Sequence, residues 1–569
     1  MKGVLMSDKL LDFVGGGGKY YWLFVAICAF LIVYKSSMPF VSGDDIYFYG
    51  MLLTQGSLWH GLGMDMGRFF PLAGWNHSLV AAFSINPYVL MLGNAFIFVI
   101  TAICFYVLGR KIGAQPKWIL LFFAIFALSV GYIKITTQIV FPELTQIMFL
   151  CLFLVCAYYF YSACATNAFW HCIVFGVLAV CFGNACLYLK EVSLVFIGGF
   201  GACHLVLGYI KFAKERKFGL QNLQSQILKD SQTLHFSTST CIFDSVLILS
   251  ALIFLGLYAY FTANASSSYA QLSVFSPLRT LIVSVFAAPM LSIALPCMIV
   301  FRFYKIMWKK DTISVFWDSV ALIAMAYFIA FLVLGMASFH YFMPATILAC
   351  LYAVFIIKLY GKNLKNSFIA WILGILVGFI LIANTIPQGV HYFSVNKIQA
   401  RNTQETMDFL ASYITKSPKK VTIYFDGFCR GLDKCYYSWQ YKAIFDILPL
   451  VYGVDNFDIK SKESNGKNFT LQSSSPLSFF NSDDVSEPQS GDLIVLSYLS
   501  EKPMDSDYID SMIAHNELLF ATHNSGYIPA YNLMSFGALV LQYFGIKHSM
   551  SNFGNPLRLP SQMYVLRVR

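Results

Sequence analysis

Apolar runs of about 20 residues, enough to cross a hydrocarbon core about 30 Å thick as a helix, recur between Tyr20 and Ile386 of the 569-residue chain. A chain that is 58% hydrophobic and 12% charged is wrong for a set of soluble domains, so lipid is its expected solvent. Set against the polar breaks, the runs predict about eleven transmembrane helices, near residues 20–38, 86–108, 118–134, 143–163, 169–187, 192–210, 242–261, 281–301, 315–337, 341–358 and 367–386. The first run, Tyr20 to Val33, ends in Lys35-Ser36-Ser37-Met38-Pro39 without a small-x-small cleavage pattern and reads as an uncleaved anchor. After Pro387 the character changes. Residues 391–569 carry short apolar runs, frequent charges and Ser/Asn/Gly/Pro-rich breaks, the signature of an aqueous α/β domain.

Basic residues set the expected orientation. Arg110, Lys111 and Lys117; Lys211, Lys214, Arg216, Lys217 and Lys229; Arg302, Lys305, Lys309 and Lys310; and Lys358, Lys362 and Lys365 fall in alternate loops on the side of the N-terminus. Opposite loops hold little beyond Lys35, Arg68, Lys134, Lys190 and Arg279. The positive-inside rule makes the first side cytoplasmic. Residues 1–19 are then a cytoplasmic N-terminus, 20–390 the membrane domain with an outer loop at 39–85, and 391–569 an extracytoplasmic domain in the periplasm or its equivalent. A bacterial inner membrane fits this layout. The formal net charge of +10 is spread over these loops rather than gathered in a stripe, which argues against nucleic acid as a partner.

Within the outer loop, Tyr47 to Trp59 and Phe69 to Val80 have aromatic and apolar residues on helical spacing and are expected to lie in the interface plane. In the C-terminal domain, Arg401 to Tyr413 and Tyr437 to Leu450 read as helices, and Val421 to Phe425, Asp492 to Tyr498 and Met563 to Val568 as strands. Twelve of the 14 cysteines precede residue 390, mostly in apolar runs, as small hydrophobes. Cys429 and Cys435 are spaced to close a short disulfide loop if their domain faces an oxidising compartment. There is no phosphate-binding Gly-rich loop, and the triplets Asn76-His77-Ser78, Asn264-Ala265-Ser266 and Asn468-Phe469-Thr470 are too common to mark glycosylation.

Ionisable residues at membrane depth are costly and therefore informative. Asp44 and Asp45 follow the first span in Ser42-Gly43-Asp44-Asp45-Ile46-Tyr47. Such a pair caps a helix start, or supplies a general base that takes a proton from a sugar or lipid hydroxyl, its neighbour tuning its pKa. Lys134 and Glu143 flank a short outer loop, Lys190-Glu191 lies between the fifth and sixth spans, and His340-Tyr341 between the ninth and tenth. The plain readings are an interhelical ion pair for Lys190-Glu191 and an interface anchor for His340-Tyr341, with Arg68 and Arg279 touching lipid headgroups. Together, carboxylates for proton transfer and cations for a phosphate leaving group make a coherent outward-facing site, because charge grows on the phosphate oxygens as the bond to carbon breaks.

The order of an acidic pair after the first span, a long outer loop with Gly67-Arg68-Phe69-Phe70-Pro71, a Lys-Glu at a later outer edge, a late His340-Tyr341-Phe342-Met343-Pro344 and a C-terminal outer domain resembles the GT-C membrane glycosyltransferases. That resemblance implies transfer of a sugar from a polyprenyl-phosphate carrier to a glycan, lipid or protein acceptor, among membrane lipids, by a single inverting displacement. It implies a catalytic base at Asp44 or Asp45 and a second acidic position at Glu143, with Arg68, Lys190 or Arg279 steadying the departing phosphate. Where the family often carries Arg before the late Tyr, this chain has His340. Some relatives use a divalent metal ion; without an Asp-x-Asp the sequence commits to no cofactor.

Three rival classes differ in what they require. A transporter or lipid flippase needs charges at mid-span and paired broken helices in two halves, and no internal repeat is visible. A glycan polymerase or ligase needs a large late outer loop rich in Arg and His. A non-catalytic scaffold would keep its function without Asp44 and Asp45.

Overall fold

The computed structural model describes residues 18–34, 43–58, 67–217, 238–264, 277–336, 338–364, 374–375, 378–426, 447–460, 486–496, 506–523, 526, 528 and 562–569. Among these residues eight helices are long and apolar enough to cross a membrane, or nine if one bent pair is a single span. The chain is therefore a polytopic α-helical membrane protein. Helix α1, Gly18–Tyr34, is apolar but short, and α2, Gly43–Gln55, and α3, Trp75–Ala81, occupy the first long loop. The helices α4 (Pro87–Lys111), α5 (Pro116–Ala127), α6 (Val130–Thr136), α7 (Glu143–Ala165) and α8 (Phe169–Leu189) follow. Then come α9 (Leu194–Lys217), α10 (Thr238–Thr262), α11 (Pro277–Ala287), α12 (Leu295–Trp308), α13 (Val315–Leu334) and α14 (Met343–Leu364).

Local chemistry explains their ends. Asn86 caps α4 by accepting the Tyr88 N–H, Pro87 opens the helix where no donor is needed, and Arg110 and Lys111 close it against the dipole. Two expected spans are broken. The run at 118–134 divides into α5 and α6, bent by 72°, with Ser129 Oγ donating to Phe126 O at 2.7 Å in the corner. The run at 281–301 divides at Ala288-Pro289, and a π turn at Met290–Ala294 leads into α12, because proline removes a ladder donor. Residues 367–373, 376 and 377 of the run at 367–386 lie outside the described residues, as do Cys429 and Cys435.

One helix, α15, Ile386–Lys416, replaces the short helix expected at 401–413 and runs through the composition break at residue 390. Its 31 residues span about 46 Å. At its start Gly389 lies so close to Leu128 O that an added Cβ would overlap that oxygen, and a Cβ at Gly131 of α6 would likewise overlap Phe339 O. Glycine is required there because backbone meets backbone. The far half of α15 covers a five-stranded sheet of β1 (Val421–Asp426), β2 (Phe457–Lys460), β3 (Leu493–Leu496), β4 (Asn516–Ala521) and β5 (Tyr564–Val568), ordered β2-β1-β3-β5-β4. Strands β1, β2 and β3 are parallel; β5 runs antiparallel to both β3 and β4. Phe409 stacks on Phe520 at 4.8 Å. Strands β1, β3 and β5 fall where alternation placed them; β2 and β4 were not expected.

Candidate active site

Residues far apart in sequence meet at one end of the bundle. Asp45, in the first turn of α2, is fully buried and its carboxylate accepts the Ile139 N–H at 3.1 Å. Ile139 belongs to the loop between α6 and α7, which ends in Pro142 and leads to Glu143 at the start of α7, where the helix dipole favours a carboxylate. The side chains of Asp44 and Arg279 lie outside the described residues.

Lys190 and Glu191 take different partners, neither of them the other. The Lys190 ammonium is 2.9 Å from Glu143 Oε1, a close ion pair that is off the line of a good hydrogen bond, since neither Glu143 oxygen has an aligned donor among the described residues. Glu191 accepts Arg68 Nε at 2.6 Å and Arg68 Nη2 at 3.4 Å. The segment from Gly67 to Ala73 is held for this contact by Tyr258 Oη donating to Gly67 O at 3.0 Å and Leu72 N–H donating to Tyr188 O at 3.0 Å.

Aromatic rings lie between the cations. The Arg68 guanidinium sits 4.7 Å and the Lys190 ammonium 5.8 Å from the Phe70 ring, and Lys190 is 5.0 Å from the Tyr341 ring. His340 packs against Tyr341 at 4.2 Å and Phe141 at 4.4 Å, with Lys134 5.0 Å from the Phe141 ring. Ser338 Oγ lies 2.7 Å from His340 Nδ1. Ring faces attract cations without neutralising them; Arg68 and Lys190 are balanced instead by Glu191 and Glu143. Both His340 and Tyr341 are buried rather than spread at an interface. Among the described residues Lys134 has no carboxylate at ion-pair distance.

No protein-family profile matches the chain, and no curated protein matches it. Among solved structures it is similar to the crystal structure of the oligosaccharyltransferase of Archaeoglobus fulgidus in the apo form, at 12% sequence identity and a TM-score of 0.43. The match covers 76% of this chain and 64% of that one, so the chain spans less than two thirds of the length of the protein it resembles.

Among the described residues no three His, Cys, Asp or Glu side chains converge on a point that could hold a metal ion.

Several partners were not legible in the sequence. Phe70 and Phe141 separate the cations, and Gln146 Nε2 donates to Ser193 Oγ at 2.7 Å behind Glu143. Two further polar clusters sit toward the opposite end. Tyr161 Oη donates to Asp244, whose other oxygen lies 2.8 Å from His204 Nδ1. Arg302 is not a loop charge but a buried one, bonded to Asp318 at 3.1 Å, Tyr360 Oη at 2.5 Å and Thr312 O at 2.6 Å. The available signal was a lone Asp inside an apolar run, which is too costly to stand without a partner. Lys358 approaches Gly113 at the same end as Tyr360, which places two of the basic loops together.

Proposed function

We propose that this chain is a membrane glycosyltransferase of the GT-C kind, moving a sugar from a polyprenyl-phosphate carrier to a hydroxyl of a glycan, lipid or protein acceptor. The observation that carries this reading is the meeting of two cation–carboxylate pairs, Lys190–Glu143 and Arg68–Glu191, with Lys134 and the Asp45 helix at one end of the bundle. A carboxylate of the Asp44-Asp45 pair accepts the proton of the acceptor hydroxyl. The acceptor oxygen then bonds to the anomeric carbon as the carbon–oxygen bond to the carrier phosphate breaks, with inversion. Charge that grows on the phosphate is met by Lys190, Arg68 and Lys134, held in place before the reaction begins. An ammonium carries three N–H groups and a guanidinium five, so a cation paired with one carboxylate keeps donors for a phosphate.

This reading puts the site at the extracytoplasmic end, opposite the basic loops, in a bacterial inner membrane. The sheet beyond α15 then either binds and orients the acceptor or serves as a lid or stabilising cap. The experiment is direct. Purified protein in nanodiscs is given a panel of polyprenyl-phosphate sugars, and carrier phosphate release and sugar transfer are followed. Release by the parent that is abolished in Asp44→Asn or Asp45→Asn supports the reading; release unchanged in both refutes it.

One observation favours a transporter instead. His204, on the apolar helix α9, is paired with Asp244, and its Nε2 is buried with no hydrogen-bond partner among the described residues; ionisable groups inside spanning helices mark ion paths in carriers. Proton-coupled flux across proteoliposomes that His204→Gln abolishes, with no sugar transfer, would establish it.

A further inference from the structure

The loop at 137–142 carries Phe141, leads into Glu143, and is held through backbone atoms by side chains from two distant helices. Asn94, fully buried in α4, donates through Nδ2 to Thr136 O and to Gln138 O, each at 3.1 Å. On the next residue the Ile139 N–H goes to Asp45. With Nδ2 turned to two carbonyls, Asn94 Oδ1 faces His77 Nε2 at 3.0 Å. The reverse amide orientation would set Oδ1 against two carbonyl oxygens, so the assignment follows from charge.

An amide oxygen only accepts, which makes His77 Nε2 the donor and, in the neutral ring, Nδ1 the acceptor. Asn76 Nδ2, 3.2 Å from Nδ1, supplies a matching donor. His77 sits on α3, whose Ser78 accepts the Leu58 N–H at 2.8 Å. Helix α3 thus ties the segment following α2 to the brace on the loop. Asn94 thus bonds a side chain of α3 through Oδ1 and, through Nδ2, the backbone at the entry to one short loop.

We propose that Asn94 and His77 are positioning residues for the transfer reaction: they hold the 137–142 loop so that Lys134, Phe141 and His340 stay in register with Asp45 and Lys190. The inference rests on the glycosyltransferase reading. Its physical basis is that displacing a reacting arrangement by about 1 Å costs about 100-fold in rate.

The test uses the full chain in nanodiscs, the same donor panel, and three variants. Asn94→Asp keeps the shape and loses the donors; His77→Phe loses the ring donor; His77→Gln keeps a donor nitrogen near the place of Nε2. Asn94→Asp is expected to lower kcat by about 10- to 100-fold, with the KM for donor within about threefold. His77→Phe lowers kcat by about tenfold, and His77→Gln recovers it to within about threefold. Hydrogen exchange without substrate is expected to quicken at least about tenfold at the amides of residues 137–141 in Asn94→Asp and His77→Phe.

Unchanged exchange overturns the loop-holding role. Faster exchange with unchanged kcat overturns its bearing on catalysis, and His77→Gln behaving as His77→Phe overturns the part given to His77. A parent protein that releases no carrier phosphate from any donor overturns the underlying reading instead, a result distinct from parent activity that survives in Asn94→Asp.

Discussion

Replacing Lys190 with methionine should unfold the site before it reports on chemistry, and the paired charge shows how to separate the two effects. The Lys190 side chain is 8% exposed and that of Glu143 1%. Removing the ammonium leaves a buried carboxylate with no aligned donor, and breaking a buried pair on one side costs about 3–5 kcal/mol. Removing both charges in Lys190→Met with Glu143→Gln takes away the desolvation cost as well as the attraction, so most of that loss should return. Each single substitution strands one buried charge and the double strands none, so the coupling between them is expected to be at least as large as one single loss, about 3 kcal/mol or more. Unfolding in detergent of the parent, both single variants and the double variant gives the cycle, and carrier phosphate release on the same four proteins gives the function. The double variant should be stable yet inactive, because its fold no longer needs Lys190 but a departing phosphate does. Full activity in the stable double variant would refute the role given to Lys190, and additive stability losses would refute the ion pair itself.

Asp45→Asn keeps an acceptor for the Ile139 N–H and should leave the thermal midpoint within a few degrees. If Asp45 is the base, release falls by at least about 100-fold; a parent-like rate moves that role to Asp44. Arg302→Leu strands Asp318 in the bundle, and a loss of about 3–5 kcal/mol in stability is expected, with KM unchanged in whatever folds; a shift in donor KM would show that this end also touches substrate. Gly389→Ala forces α15 away from the α5–α6 corner and should cost about 3 kcal/mol. A midpoint equal to the parent's would refute the requirement for glycine where Gly389 meets Leu128 O.

Apolar length, the proline and glycine breaks and the change of composition near Pro387 are properties of contiguous residues, so helix-crossing character was open to reading along the chain. Lipid makes this so, since each spanning segment must satisfy its own backbone and present apolar side chains locally. The same local logic placed β1, β3 and β5. It did not reveal the bend between α5 and α6, nor that α15 runs unbroken through residue 390, because both depend on what packs against the chain there: Phe339 O on Gly131 and Leu128 O on Gly389. Candidate site residues could be named from cost alone, as charges beside apolar runs. Their partners could not. Lys190 and Glu191 are adjacent, yet one pairs with Glu143 and the other with Arg68, and Asn94 reads as a lone polar residue until the loop at 137–142 closes over it. The sequence by itself determined that this protein lives in a membrane and which of its side chains are too polar to stand there alone; only the tertiary structure decided which of them meet, because a pairing between residues on different helices, 47 positions apart for Lys190 and Glu143 and 123 for Arg68 and Glu191, is a consequence of helix packing and leaves no local trace.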